Sequence, residues 1–246
     1  MVSLPWLSEW LEKPTSRVNP ARSPQDGMFD DENHYASVGR SALRLIRLAL
    51  LTAGHESVER ILDLACGHGR VLRMLQAAFP DAELTACDVD RHGVDFCAAT
   101  FGATPVYSTP ELRAVRFDGT YDLIWAGSVL THLPRSRWLE FSECALRALE
   151  RGGVLVFTTH GRRAAMRARA GDCYLLDPGV IEGLLDEFES TGFASRDYPA
   201  QKGYGVSFAS PDWVIRELLG LDALRLVGFA EGAWDEHQDV IAVQRV

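Results

Sequence analysis

The chain has no C-x-x-C pair, no long apolar run and no excess of positive charge, and each absence removes a class of function. Its five cysteines, at 66, 87, 97, 144 and 173, are odd in number and scattered, so neither a zinc site nor a disulfide framework is expected. Cys66 and Cys87 fall beside or within expected strands, where a small thiol packs well. Reduced thiols of this kind point to a cytoplasmic protein. The most apolar helix candidate, ALRLIRLALLTA at 42–53, is interrupted by Arg44 and Arg47 and is too short and too charged to span a bilayer, so no membrane partner is expected. The opening MVSLPWLSEWLEKP lacks the basic start and apolar core of a secretion leader. With 25 Lys and Arg against 34 Asp and Glu, the net charge is −9 and the pI near 5.3. This balance argues against affinity that depends on neutralising phosphates, and long nucleic acid is not an expected partner.

What is present is a globular composition, 47% hydrophobic and 24% charged, over 246 residues, enough for one large domain. Its most informative stretch is ILDLACGHGR at 61–70. Ile61, Leu62 and Leu64 read as a buried strand carrying Asp63 near its end. Gly67 and Gly69 permit a tight turn and close approach of a ligand, and VLRMLQAAF at 71–79 has helical apolar spacing. A helix start after such a turn leaves unpaired N–H groups facing a ligand. A dinucleotide fingerprint would want a third small residue where Leu72 stands. Asp88 then ends a second apolar strand, 83–87, at the distance of about 20 residues where an acidic side chain accepts from ribose hydroxyls.

These features resemble the class I S-adenosylmethionine-dependent methyltransferases: an acidic residue followed by small-x-Gly-x-Gly, with Ala65 in place of the commoner first glycine. The segments YDLIWAGSVLTHLP at 121–134 and ALRALERGGVLVFTTHG at 145–161 look like that family's fourth and fifth strands, so the resemblance covers 58–160 in four ordered motifs. It implies S-adenosyl-L-methionine as cofactor, held by Asp63, Ala65, Gly67, Gly69, Asp88 with the adjoining Val89, and Ala126. The family places an acidic adenine contact at the end of the third strand; Ser108 stands there instead. The resemblance also implies that the N-terminal portion covers the cofactor, with Tyr35 and Arg40 as contacts and Arg40 facing the methionine carboxylate, unless Arg40 is an exposed first-turn residue.

The strand–helix alternation predicts an α/β fold with a parallel sheet and helices on both faces, and the resemblance implies that it is a doubly wound Rossmann-like, seven-stranded, mostly parallel sheet whose last strand is antiparallel. Residues 1–55 form an N-terminal arm and lid, its first 27 residues a partly mobile arm that includes Trp6 and Trp10. Residues 56–246 form the methyltransferase domain, with 161–207 a substrate-side insertion. Strands are expected at 59–64, 83–87, 104–107, 121–126 and 154–159 and helices at 70–79, 91–101 and 135–150, the last stopped by Gly152-Gly153. Asp177-Pro178 and Ser210-Pro211 mark two further helix starts.

If the acceptor is a hydroxyl, a general base helps to remove its proton, and histidine is the usual choice near neutral pH. His132 after the fourth strand is preferred, then His160 ending the fifth, then His237 in the last hairpin. His68 in the glycine turn reads as a solvent-facing loop residue. Tyr204, Trp234 and His237 are the substrate-side candidates. Arg162, Arg163, Arg167 and Arg169 either hold an anionic group or, as the favoured reading, form a solvated helix face. Metal-dependent relatives carry aspartates after the fourth strand and a later Asp-Asn pair; Ala-Gly-Ser-Val stands here, so no metal is expected. The expected reaction is O-methylation of a small molecule such as a sugar or secondary metabolite. A non-catalytic cofactor-binding protein of the same fold, or a protein or carboxylate methyltransferase, is the alternative. The oligomeric state is not legible.

Overall fold

A computed structural model describes residues 18–55, 57–221 and 223–246; Trp6, Trp10 and most of the expected mobile arm lie outside the described residues. Along the chain run α1 (Glu32–Ala53), β1 (Arg60–Leu64), α2 (Leu72–Ala78), β2 (Glu83–Asp88), α3 (Arg91–Phe101), β3 (Thr104–Tyr107), β4 (Tyr121–Ala126), α4 (Trp138–Ala148), β5 (Leu149–Thr159), α5 (Arg162–Arg169), α6 (Pro178–Thr191), β6 (Phe193–Tyr198), β7 (Gln201–Ala209), α7 (Pro211–Leu219), β8 (Leu224–Trp234) and β9 (Gln238–Arg245). Local chemistry sets the best-defined ends. Asp90 caps α3 through the His92 amide and Gly102 ends it at φ 71°, while Asp177 caps α6 through the Gly179 amide and Gly192 ends it at φ 79°.

Seven strands form one sheet in the order β3-β2-β1-β4-β5-β9-β8, and β6 and β7 form a separate hairpin. β1 to β5 pair in parallel, as the strand–helix alternation implied, and β9 runs antiparallel between β5 and β8, as the family resemblance implied. Alternation along each strand feeds two cores. Ile61, Ala86, Leu123, Trp125 and Val156 pack under α1, α2 and α3, and Leu62, Cys87, Ile124, Phe157 and Ile241 pack under α4 and α7. A third, small core joins α5, α6 and the β6–β7 hairpin through Ala165, Ile181, Leu184, Phe188, Val206 and Phe208. The order reverses between β1 and β4, where Asp63 lies opposite Trp125 in register, and the crevice at the carboxyl ends of such strands is where an α/β sheet takes its ligands.

Several boundaries differ from the sequence expectation. The helix expected at 42–53 starts at Glu32, because Asp31 accepts from the Asn33 and His34 amides; Tyr35 and Arg40 are therefore helical. The arm is held from Val18 onward: buried Arg73 donates to the carbonyls of Asn19 and Ala21 at 3.1 and 2.8 Å. The helix expected at 70–79 is only Leu72–Ala78, since Gly69 to Val71 remain in the turn and Phe79 precedes Pro80. Gly152-Gly153 does not stop a helix: α4 ends at Ala148, β5 begins at once, and Gly152 at φ 84° sits where the β4–β5 register shifts. The helix expected at 135–150 begins as a 3₁₀ turn, Arg135–Arg137. Strand β6 was not foreseen, and the hairpin it forms carries the expected 161–207 insertion on to Ala209.

Two glycines predict opposite responses to alanine. A β-carbon on Gly93 would run into the backbone carbonyl of Gly67, which cannot move without moving the turn. Overpacking of about 1–3 kcal/mol then outweighs the gain of about 1 kcal/mol from helix propensity. Gly183, exposed on α6 with nothing near its β-carbon, has no such penalty. Urea unfolding of Gly93→Ala should show a lower midpoint than wild type and Gly183→Ala a higher one; a midpoint for Gly93→Ala at or above wild type would contradict the packing described.

Candidate active site

At the switch point the chain leaves β1 through Ala65 at φ 76°, Gly67 at φ 49° and Gly69 at φ 79°. Three bonds hold this turn against the end of β2: the Ala65 and Cys66 amides donate to the Cys87 carbonyl, and the Gly67 amide donates to Asp88 Oδ2 at 2.8 Å. The two glycines serve different neighbours. Gly67 has open space where a side chain would be, whereas Gly69 faces Phe101 and Cys97 of α3 and supplies the close packing that a dinucleotide motif assigns to its third glycine.

Above the turn opens a cleft of about 620 Å³, within the usual range for small-molecule sites. It brings together Asp63, Ala65, Gly67, Asp88, His132, His160, Tyr204, Trp234 and His237 of the residues singled out from the sequence. Six others do not line it. Gly69 faces α3, Ala126 is buried beneath the sheet ends, and Val89 is 60% exposed. Ser108 is half-buried, with its hydroxyl bonded to the Thr109 carbonyl. Tyr35 points into the core and donates to Asp26 Oδ2 at 2.6 Å. Arg40 is exposed on α1 outside the cleft, because a helix that starts at Glu32 turns it away.

Sequence reasoning missed Arg70, which lines the cleft with its guanidinium 5.7 and 5.8 Å from the rings of Tyr35 and Trp234. Its signal was its place, directly after Gly69 in the turn. His68 is buried rather than solvent-facing, with Nε2 3.9 Å from Asp90 Oδ2. Trp234 lies on the turn side of the cleft and donates to the Val38 carbonyl at 3.0 Å. The mouth is clasped by His34, which bridges Asp30 Oδ2 at 2.7 Å and Asp235 Oδ1 at 3.0 Å; the bonds to Asp235 and Asp30 raise its pKa. Asp30, Asp31 and His34 offer ligand atoms within 4.8 Å of one another. They are already engaged, Asp31 as the cap of α1 and Asp30 with His34.

The opposite wall is built by the insertion. β7 is strapped to the ends of β4 and β5 by the Gly205 amide to the His132 carbonyl, Ser207 to Thr131 and Ala209 to His160, at 3.0, 2.8 and 2.8 Å. His132 Nδ1 lies 2.7 Å from the Gly205 carbonyl, so Nδ1 carries the hydrogen and Nε2 the lone pair. Its ring stacks on Tyr204, centroids 4.9 Å apart. His160 stacks on His237 at 4.8 Å, and the Tyr174 hydroxyl lies 2.7 Å from His237 Nε2. Burial lowers the pKa of all three imidazoles, most strongly at His160, where His237 and His132 add to it. The α5 arginines pair outward, Arg162 with Glu231, Arg167 with Asp172 and Arg169 with Glu189, which is the solvated face expected.

Asp63 is 1% exposed and its Oδ2 has no hydrogen-bond partner among the described residues. Burial, then the charge of Asp88, pushes its carboxyl up to about 8. The unfolded chain holds this carboxyl near its usual value of about 4, so the folded state binds the extra proton in between and stability falls as pH rises from about 4 to about 8. Asp63→Asn removes that slope. Thermal unfolding across this range should favour the variant increasingly toward pH 8, and parallel curves would contradict the assignment.

Comparison with known proteins agrees with this geometry. Residues 62–155 match a family model described as a methyltransferase domain. A malonyl-[acyl-carrier protein] O-methyltransferase from Anoxybacillus flavithermus is 27% identical over 119 residues, 48% of this chain and 45% of that protein. The chain thus spans about half the length of this curated relative. Among solved structures, DhpI in complex with SAH is 18% identical with a TM-score of 0.57, covering 99% of this chain and 98% of that one. The glycopeptide N-methyltransferase MtfA with S-adenosylmethionine is 16% identical with a TM-score of 0.56, covering 92% and 100%. Residues 62–155 thus carry a methyltransferase domain, and the sheet order and the turn between β1 and α2 agree with the resemblance to the class I S-adenosylmethionine-dependent methyltransferases.

Proposed function

We propose that the protein transfers a methyl group from S-adenosylmethionine to a hydroxyl of a small molecule without a metal. The observation that carries this reading is the division of one cleft into a charged turn side and a histidine-lined side. This side fits the cofactor: an arriving ammonium group would favour the ionised form of the buried Asp63 carboxyl and pair with its unpartnered Oδ2, and Arg70 suits the carboxylate in place of Arg40. Asp88 retains lone pairs for ribose hydroxyls after accepting from the Gly67 and Asp90 amides. The open space over Gly67 admits a ligand against the backbone. When bound, S-adenosylmethionine supplies an electrophilic methyl group on sulfur.

The protein's own part is positioning and proton removal. The strapped loop holds His132 with Nε2 unprotonated, and burial keeps the ring neutral near pH 7. His160 is the second candidate, and Tyr204 and His237 line the acceptor side. The five cysteines are free, which supports the cytoplasmic reading, and no described helix is long and apolar enough to cross a membrane.

A second reading, methylation of a carboxylate, is favoured by the Anoxybacillus relative. It differs in one testable respect: a carboxylate arrives ionised and needs no base. His132→Ala should keep cofactor affinity and lower turnover by about 10²-fold or more. Undiminished turnover would remove His132 from the mechanism and leave the carboxylate reading in its place. EDTA should leave the rate unchanged, and a magnesium requirement would overturn the metal-free reaction.

A further inference from the structure

The acceptor wall consists of His132, His160, Tyr174, Tyr204 and His237, all uncharged when the imidazoles are neutral, and the nearby Arg167 and Asp172 pair with each other. The acids that line the cleft lie elsewhere: Asp63 and Asp88 at the turn, Asp26 bonded to Tyr35, and Asp30 and Asp235 at the mouth with His34. Tyr204 rests one face on His132 yet is 42% exposed, so an aromatic ring beside the base is left uncovered. Tyr198 completes this group, 5.8 Å from Tyr204 and 6.0 Å from His132.

We propose that the acceptor is a phenol or enol, a flat uncharged ring bearing an acidic hydroxyl, which packs on Tyr204 and gives its proton to His132 Nε2. This rests on the methyltransferase reading above and narrows its substrate. A protonated amine would enter a wall with no anion to pair with it, at the cost of desolvating its charge. A saturated alcohol has no flat face to lay on the uncovered Tyr204 ring and forfeits that contact. A phenol or enol meets both conditions, and its ring gains stacking energy on the exposed tyrosine. In the transfer, the proton leaves the hydroxyl for His132 Nε2, the oxygen bonds the methyl carbon, and the electron pair of the carbon–sulfur bond stays on sulfur.

The test is equilibrium binding to the full chain saturated with S-adenosylhomocysteine, using one- to three-ring phenols and enols together with amines and alkyl alcohols of matching skeleton. Phenols or enols should bind at least tenfold more tightly than their matched amines and alcohols, and Tyr204→Ala should weaken them about tenfold without changing S-adenosylhomocysteine affinity. With S-adenosylmethionine, the bound phenol or enol should be released as its methyl ether. Equal or tighter binding of the amines or alcohols, or binding of none of the panel, would overturn the inference while leaving the cofactor site intact. Failure to bind S-adenosylhomocysteine would overturn the methyltransferase reading itself, and the inference with it.

Discussion

The hydrogen bond from the Gly67 amide to Asp88 fixes the turn side of the cleft, because it ties the turn after β1 to the end of β2. With that bond and the paired amides on the Cys87 carbonyl, the turn has one path, and Gly67 lies open toward the cleft. α3 then packs close enough that only glycine fits at 93 and 69. α1 closes the other side, where Gly39 lies against the Arg70 carbonyl and Met74, and Arg73 bonds to the turn and the arm together. A site made from three segments distant in sequence is thereby held by backbone geometry.

The insertion adds the second half by the same means. α5, α6 and the β6–β7 hairpin have a small core of their own, and β7 bonds directly to the backbone of Thr131, His132 and His160. The result is an electrostatic contrast across a short distance. Acids and Arg70 gather at the turn, and neutral imidazoles and phenols face them. A cationic, charge-separated donor and a neutral acceptor each find a suitable environment, and low polarity on the acceptor side strengthens the few hydrogen bonds made there.

The parts of the structure legible in the sequence are those fixed by local chemistry. α3 falls on the expected residues because Asp90 and Gly102 bound it, and the helices after Asp177 and Ser210 begin where those caps stand. The strand alternation sufficed for the parallel strands, the antiparallel β9 followed from the family resemblance, and the glycine turn marked the position of the cleft. What was not legible depends on tertiary direction. Arg40 was placed in the cleft because the start of α1, hidden in a polar Asp-Asp-Glu run, was missed, so its face was unknown. Arg70 follows Gly69 directly, but its direction into the cleft is set by Tyr35 and Trp234, which lie far from it in sequence. Strand β6 is half polar on both faces and exists only because β7 pairs with it.

Calorimetric titration of the full chain with S-adenosylmethionine, S-adenosylhomocysteine and NAD tests the cofactor assignment most directly. Micromolar binding of both sulfur nucleotides, with none of NAD, is the expected result. No binding of either, or a preference for NAD, would contradict it.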